Sequence, residues 1–88
     1  MHRYACPCCR YLTLAEEPPG TFEICAVCWW EDDPVQSEDP TYAGGANTIS
    51  LVAARASFDE LGAIDRAALA HVRPPTPEEK RGRASRHR

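Results

Sequence analysis

Cys6-Pro7-Cys8-Cys9 and Cys25-Ala26-Val27-Cys28 are the two stretches that decide the fold of this 88-residue chain. Their outer cysteines form a C-x2-C-x15-C-x2-C array. A tight turn between two cysteines directs both sulfurs to one point, and two such turns complete the tetrahedral site of a zinc ribbon. All four positions of such a site are filled by protein, which leaves no open position for catalysis. The spacing therefore predicts one structural Zn²⁺ held by Cys6, Cys9, Cys25 and Cys28.

The apolar content of the chain is small for a self-sufficient core. Hydrophobic residues make up 43% of the sequence, but thirteen of them are alanine and five are cysteine. Domains with so thin a core usually need a disulfide, a metal or a partner. Zinc supplies an apparent folding free energy of about 10–16 kcal/mol in comparable peptides. We therefore expect a single domain that is stabilised by a bound metal ion.

The compartment follows from what the sequence lacks. The segment 1–7 has no apolar run typical of a secretory signal. The sequence also contains no run of 18 apolar residues, the length that would predict a membrane span. We expect a cytoplasmic protein with no membrane partner, in a reducing compartment where cysteines bind metal rather than form disulfides. A disulfide framework would also leave one thiol of the five unpaired.

Iron is the alternative metal, because a rubredoxin-like electron carrier uses the same four-thiolate geometry. Rubredoxins usually place a small residue after the second cysteine of each pair, whereas this chain has Arg10 and Trp29. This difference favours zinc. Cys8 is the spare thiol, and its simplest role is a small side chain in the turn. Two other roles stay open for Cys8: a reactive thiol activated by the metal and Arg10, or an alternate metal ligand.

The pattern around the cysteine pairs predicts an α+β fold that begins with a zinc-ribbon-like β-hairpin. Residues 11–14 and 21–24 alternate in polarity, and the turn residues of 16–20 separate them. We expect these two segments to pair. The acidic, turn-rich residues 31–47 predict an ordered loop, held by its two large apolar side chains, Val35 and Tyr42.

Two short C-terminal helices follow in this prediction. Asn47 or Thr48 is the expected cap of a first helix that runs through residues 51–61, and Gly62 suits its C-terminal end. Asp65 is the expected cap of the second helix.

We expect Leu69 and Val72 on the inner face of that second helix. Residues 73–77 are rich in proline and predict an extended arm that leaves the domain.

Charge divides the chain into a domain at 1–79 and a tail at 80–88. The domain carries five basic residues against thirteen acidic ones, a net charge of −8. The tail offers nothing to bury and predicts a disordered segment that could bind a polyanion such as nucleic acid. Its basic residues are Lys80, Arg81, Arg83, Arg86 and Arg88.

Further motifs stand around the cysteine pairs. They are Glu16-Glu17-Pro18-Pro19-Gly20-Thr21, Trp30-Glu31-Asp32-Asp33-Pro34-Val35-Gln36, Gly44-Gly45-Ala46-Asn47, Ala54-Arg55 with Phe58, and Arg73-Pro74-Pro75. Together with the two cysteine pairs they resemble the cysteine-rich CPCC family of small bacterial proteins, over about residues 4 to 79. The resemblance implies a metal-binding module and supports the zinc site. It implies no particular activity.

The candidate partner-binding surface is the strip Trp29, Trp30, Glu31, Asp32 and Asp33. Adjacent tryptophans point in opposite directions, so we expect one in the core and one exposed beside the acids. Tryptophan is enriched where binding energy concentrates. A solvated acidic turn is the simpler interpretation of the three acids.

The sequence contains no nucleophile–base–acid pattern, no phosphate-binding glycine loop and no dinucleotide fingerprint. We therefore expect a non-catalytic, zinc-binding protein-interaction module. Three alternatives stay open: a nucleic-acid-associated zinc-ribbon accessory protein, an acidic immunity-type inhibitor of a toxin, and a rubredoxin-like electron carrier.

Overall fold

Each cysteine pair lies in a tight turn between two extended segments in the computed structural model, which describes residues 2–84. The first turn joins β1 (Tyr4–Ala5) to β2 (Leu12–Leu14), and the two strands pair antiparallel. The second turn lies between Ile24 and Glu31, which form an isolated antiparallel bridge. We call residues 6–10 the first knuckle and residues 25–29 the second knuckle.

The α+β fold class is confirmed, but the strands pair differently from the prediction. Leu12–Leu14 is a strand, and its partner is Tyr4–Ala5 rather than residues 21–24. Residues 21–24 instead lie along the segment after the second knuckle, where the Phe22 N–H donates to the Asp32 carbonyl at 2.9 Å. Each knuckle thus closes its own hairpin, since the Cys6 N–H donates to the Tyr11 carbonyl and the Cys25 N–H donates to the Trp30 carbonyl.

The acidic loop contains a short helix, α1 (Pro34–Glu38), capped by the Asp33 carboxylate. Val35 and Tyr42 do not hold this loop, since they are 57% and 44% exposed. The buried Gln36 side chain holds it instead. Its Nε2 donates to the carbonyls of Tyr42, Asn47 and Ile49.

Helix α2 (Leu51–Leu61) confirms the first predicted helix. Its N-cap is Ser50 rather than Asn47 or Thr48, and Gly62 ends it at φ 88 as expected. The Asn47 side chain is used elsewhere, because it exchanges hydrogen bonds with both backbone groups of Glu31.

The second predicted helix is a short 3-10 turn, Ala67–Ala70. Asp65 Oδ1 accepts from the Ala68 N–H at its start, in agreement with the predicted cap. Ala68 is the residue of this turn that packs inward, whereas Leu69 is 42% exposed. The prediction of Leu69 on the inner face is therefore wrong, and Val72 is half-buried against the core.

The proline-rich segment returns to the domain instead of leaving it. Arg73 donates its N–H to the Ala26 carbonyl in the second knuckle, and Glu79 accepts through its carbonyl from the Leu12 N–H. Thr76 and Glu79 form a reciprocal capping box, each side chain bonding to the other's N–H. We call residues 73–84 the C-terminal strap.

The first part of the predicted disordered tail belongs to this strap. Lys80 donates its N–H to the Thr76 carbonyl, and α3 (Arg81–Ala84) follows. Gly82 packs so closely that a Cβ there would lie 2.5 Å from the Arg10 carbonyl oxygen. The prediction of disorder is thus wrong for residues 80–84, while residues 85–88 lie outside the described residues.

The core lies between the knuckles and α2. Besides the cysteines it contains the buried side chains Leu14, Val27, Trp30, Leu51, Ala54, Ala63, Ile64 and Ala68. Within residues 2–84, none of the helices is long and apolar enough to cross a bilayer.

Candidate metal centre

The four predicted ligands meet at one buried point. The sulfurs of Cys6, Cys9, Cys25 and Cys28 all lie within 4.8 Å of one another. The Cys6–Cys28 and Cys9–Cys25 Sγ–Sγ distances are both 3.6 Å. Zn–S bonds of about 2.3 Å in a tetrahedron place sulfurs about 3.8 Å apart. A disulfide requires about 2.05 Å between sulfurs, and all five cysteines are free. The donor set and its spacing therefore fit a four-coordinate soft metal ion.

The two knuckles use the same backbone arrangement. Cys6 donates its N–H to Tyr11 and accepts through its carbonyl from Arg10, and Cys25 does the same with Trp30 and Trp29. Arg10 and Trp29, which follow the second cysteine of each pair, adopt φ values of 72° and 79°. This left-handed conformation turns the chain so that both sulfurs of a knuckle face inward.

Backbone N–H groups also point at the sulfurs. Cys6 Sγ accepts from the Cys8 N–H at 3.4 Å, and Cys28 Sγ accepts from the Trp30 N–H at 3.4 Å. Cys25 Sγ accepts from the N–H groups of Val27 and Cys28, both at 3.4 Å. Such donors stabilise negative charge on sulfur, which a metal-bound thiolate carries.

Cys25 has an additional donor, the Thr13 hydroxyl, at 3.0 Å. Hydrogen bonds from the neighbouring thiols, first from Cys28 and then from Cys6 and Cys9, lower the pKa of Cys25 below its ordinary value, and Thr13 adds to this effect. The thiolate is the form that binds metal. Thr13 is a site residue that the sequence analysis missed, because no spacing rule links a strand threonine to a cysteine twelve residues away.

The family comparison agrees with this geometry. The family model described as Cysteine-rich CPCC matches residues 4–79. The chain belongs to the cysteine-rich CPCC family. No curated protein matches this CPCC protein in sequence.

Cys8 lies in the first knuckle but outside the four-sulfur cluster of this CPCC protein. Its residue is 5% exposed. This burial agrees with the simple role of a small side chain in the turn, and it leaves little of the thiol open to reagents in solution. The two other roles considered for Cys8 stay predictions.

The candidate partner-binding strip is not a continuous exposed surface. Trp30 and Asp32 are 0% exposed and Asp33 is 6% exposed. Asp32 accepts from the Thr21 N–H, and Asp33 caps α1 and accepts from the Ala46 N–H. These three residues hold the fold, so they cannot form the exposed strip, and the solvated-turn interpretation is wrong for both aspartates.

The accessible members of the strip are Trp29 and Glu31, both half-buried. The Trp29 ring stacks on the imidazole of His71 at a centroid distance of 4.9 Å and an interplanar angle of 18°. The stack links the second knuckle to the residue that ends the 3-10 turn, and no spacing rule predicts it.

The predicted polyanion-binding residues fall into two groups. Lys80 and Arg81 are exposed on the strap. Arg83 belongs to α3, and Arg86 and Arg88 lie outside the described residues. The strap therefore presents part of the basic cluster beside the first knuckle.

Proposed function

We propose that this CPCC protein binds one structural Zn²⁺ through Cys6, Cys9, Cys25 and Cys28, and acts in the cytoplasm as a non-catalytic protein-interaction module. The convergence of four buried sulfurs within 4.8 Å carries the metal part of this proposal. Four protein sulfurs complete the tetrahedral coordination of the ion and leave no coordination position for a substrate. Each hairpin supplies two of the cysteine sulfurs and also backbone N–H groups that donate to them.

Zinc is favoured over iron by the residues that follow each cysteine pair. Arg10 and Trp29 are large, whereas a rubredoxin-like site usually has small residues there. Zinc has no redox chemistry, so it would serve the fold alone.

Native mass spectrometry of protein purified without added metal tests the metal assignment. We expect one zinc per chain and a colourless protein. Cys25→Ser should lose the metal, because zinc affinity depends on all four thiolates. Cys8→Ser is the matched control and should retain one zinc, since Cys8 lies outside the cluster. Iron with visible absorption, or four reagent-accessible thiols without metal, would contradict the proposal.

The interaction part of the proposal is supported by the second hairpin. Phe22 and Ile24 are 54% and 48% exposed, and Ile24 lies opposite the accessible Glu31. Phe22 also has a φ of 58°, a conformation that costs a residue with a side chain about 1–2 kcal/mol. Its exposed ring recovers little of that cost by burial. A strained, exposed aromatic side chain is typical of a contact site.

Affinity purification from the native host tests this surface. The double variant Phe22→Ser/Ile24→Ser should lose a specific partner that the wild type retains. Val52→Ser is the control, because Val52 has a similar exposed fraction, 51%, but lies on α2 rather than on the second hairpin. Equal retention by both variants, with metal content unchanged, would place the contact elsewhere.

A further inference from the structure

A cavity of about 670 Å³ lies between the N-terminal hairpin and the C-terminal strap. Its volume is in the range of small-molecule sites, about 300–1,000 Å³. The strap forms one wall, and His2 and Arg3, which precede β1, form the other together with Leu12 of β2. The cavity is separate from the four-sulfur cluster and from the exposed side chains of Phe22 and Ile24, none of which line it.

Basic side chains from both ends of the described chain line this cavity. Arg3 comes from the N-terminal segment, Arg73 and Arg81 come from the proline-rich and helical parts of the strap, and His2 lies beside Arg3 in the sequence. Residues 1–79 carry only five basic residues against thirteen acidic ones, yet two of the five lie here. The cavity lining thus has three arginines against two glutamates, whereas acidic residues predominate in the domain as a whole.

Two of the arginines are held in place by bonds within the protein. Arg3 Nη1 donates to the Thr13 carbonyl at 3.1 Å. Arg73 forms a two-pronged pair with Glu79, at 2.9 and 2.8 Å, which also neutralises the more buried of the two acids that line the cavity. A guanidinium that is already fixed loses little conformational entropy when an anion binds.

Thr76 adds a neutral donor to the same wall. Its Oγ1 accepts from the Glu79 N–H, so the hydroxyl hydrogen points away from that bond. Arginines and a threonine hydroxyl together are a donor set that suits the several oxygens of a phosphate group. Glu78 is the remaining carboxylate of the lining, and it opposes an anion.

We propose that this cavity binds the phosphate group of a small phosphorylated molecule. A small ligand needs only the local positive charge of the cavity, whereas a nucleic-acid strand would extend over the acidic body, whose net charge of −8 repels it. The occupant is therefore a small phosphate ester, with its organic part in the remaining volume.

Titration of the full-length, metal-loaded protein with ribose 5-phosphate, followed by ¹⁵N NMR, tests this assignment. We expect saturable shifts of the Arg3, Thr76 and Arg81 amides, while the Cys8 and Val27 amides report an intact metal centre. Arg3→Gln and Arg81→Gln should each weaken binding about tenfold, because each removes a charge-assisted hydrogen bond. Ribose without phosphate should produce no such shifts.

Two further variants separate a built site from general electrostatics and from misfolding. Glu78→Gln should tighten binding a few-fold, a gain that damaged folding cannot produce. Arg66→Gln removes an exposed arginine that does not line the cavity and should leave the affinity unchanged. The proposal is overturned by an absence of saturation, by equal weakening in Arg66→Gln, or by an oligonucleotide that binds these arginines more tightly than ribose 5-phosphate.

Discussion

The two knuckles share one backbone but differ in what the rest of the chain attaches to them. In the first knuckle, the Pro7 carbonyl accepts a hydrogen bond from Arg55 Nε of α2 at 3.0 Å. Gly82 of the strap packs against the Arg10 carbonyl. The second knuckle receives backbone donors from two distant segments, since Ile64 donates to Cys28 and Arg73 to Ala26. The two knuckles are thus alike in their backbone bonds but unequal in their attachments to the rest of the chain, and we expect the second knuckle to be the firmer half of the site.

The largest effect should come from exchanging one ligand in each knuckle. Loss of a group that only hydrogen-bonds to a metal ligand lowers metal affinity by up to about 100-fold. Cys6→Ser and Cys25→Ser each remove a ligand and should lower zinc affinity by more than this. Cys25→Ser should be worse by about tenfold, because Cys25 Sγ accepts from Thr13, Val27 and Cys28. Competition with a zinc chelator measures both affinities. An equal or larger loss of zinc affinity in Cys6→Ser would show that the second knuckle is not the firmer half of the site.

The contact of the strap with the first knuckle should be the next most sensitive point. Gly82→Ala places a methyl group against the Arg10 carbonyl and the Leu12 side chain, an overpacking that costs about 1–3 kcal/mol. Thermal unfolding at fixed free zinc measures the loss. Amide exchange should quicken at Leu12, which donates to the strap, and stay unchanged at Asp32 in the second hairpin. Uniform quickening at both would mean that the strap supports the whole domain equally.

Arg10 and Trp29, which have positive φ at the same position of the two knuckles, offer a matched pair. Arg10→Gly should stabilise the protein by less than about 1 kcal/mol, because glycine adopts this conformation without strain but the long bond from Arg10 Nε to the Pro7 carbonyl, at 3.5 Å, is lost. Trp29→Gly gains the same relief but loses the stack on His71, and an aromatic pair contributes about 0.5–1.5 kcal/mol beyond the area it buries. Trp29→Gly should therefore lower the unfolding temperature while Arg10→Gly raises it. A rise in both would show that the stack contributes little.

The smallest effect should follow removal of the hydroxyl on Cys25. Thr13→Val keeps the strand and its side-chain volume but deletes the donor to sulfur, at a cost of about 0.5–1.5 kcal/mol in metal-loaded stability. Thr41→Val is the control, since Thr41 is exposed and bonds to Asp39 far from the cluster. Equal changes in the two variants would argue against a role for the hydroxyl at the metal centre.

The ligands and α2 could be predicted because their signals are local. A C-x2-C turn determines where its two sulfurs point, and Gly62 ends α2 through its own left-handed conformation. The turn before α3 had a local signal as well, since Thr76-Pro77-Glu78-Glu79 has the pattern of a capping box with proline directly after the cap. The basic composition that follows it outweighed this signal in the prediction of a disordered tail.

The buried polar residues were the least predictable part. Gln36 and Asp32 are both 0% exposed, whereas their residue types usually lie at the surface. No periodicity marks a glutamine whose amide satisfies three carbonyls, because the partners are brought together by the fold itself. The prediction of an exposed strip from Trp29 to Asp33 failed for this reason, because its two aspartates are buried and accept from backbone N–H groups.

The strap also determines how the chain could be rearranged. Arg3, near the start, and Arg81, near the end of the described residues, line the same cavity, so the first and last segments of the described residues are neighbours. Proteins with adjacent ends tolerate circular permutation. A linker could join these two segments and new termini could be opened at residues 43–45, an exposed part of the loop after α1. The two knuckles would then follow α2 and the strap along the chain, still in their original order, while the four sulfurs kept their places.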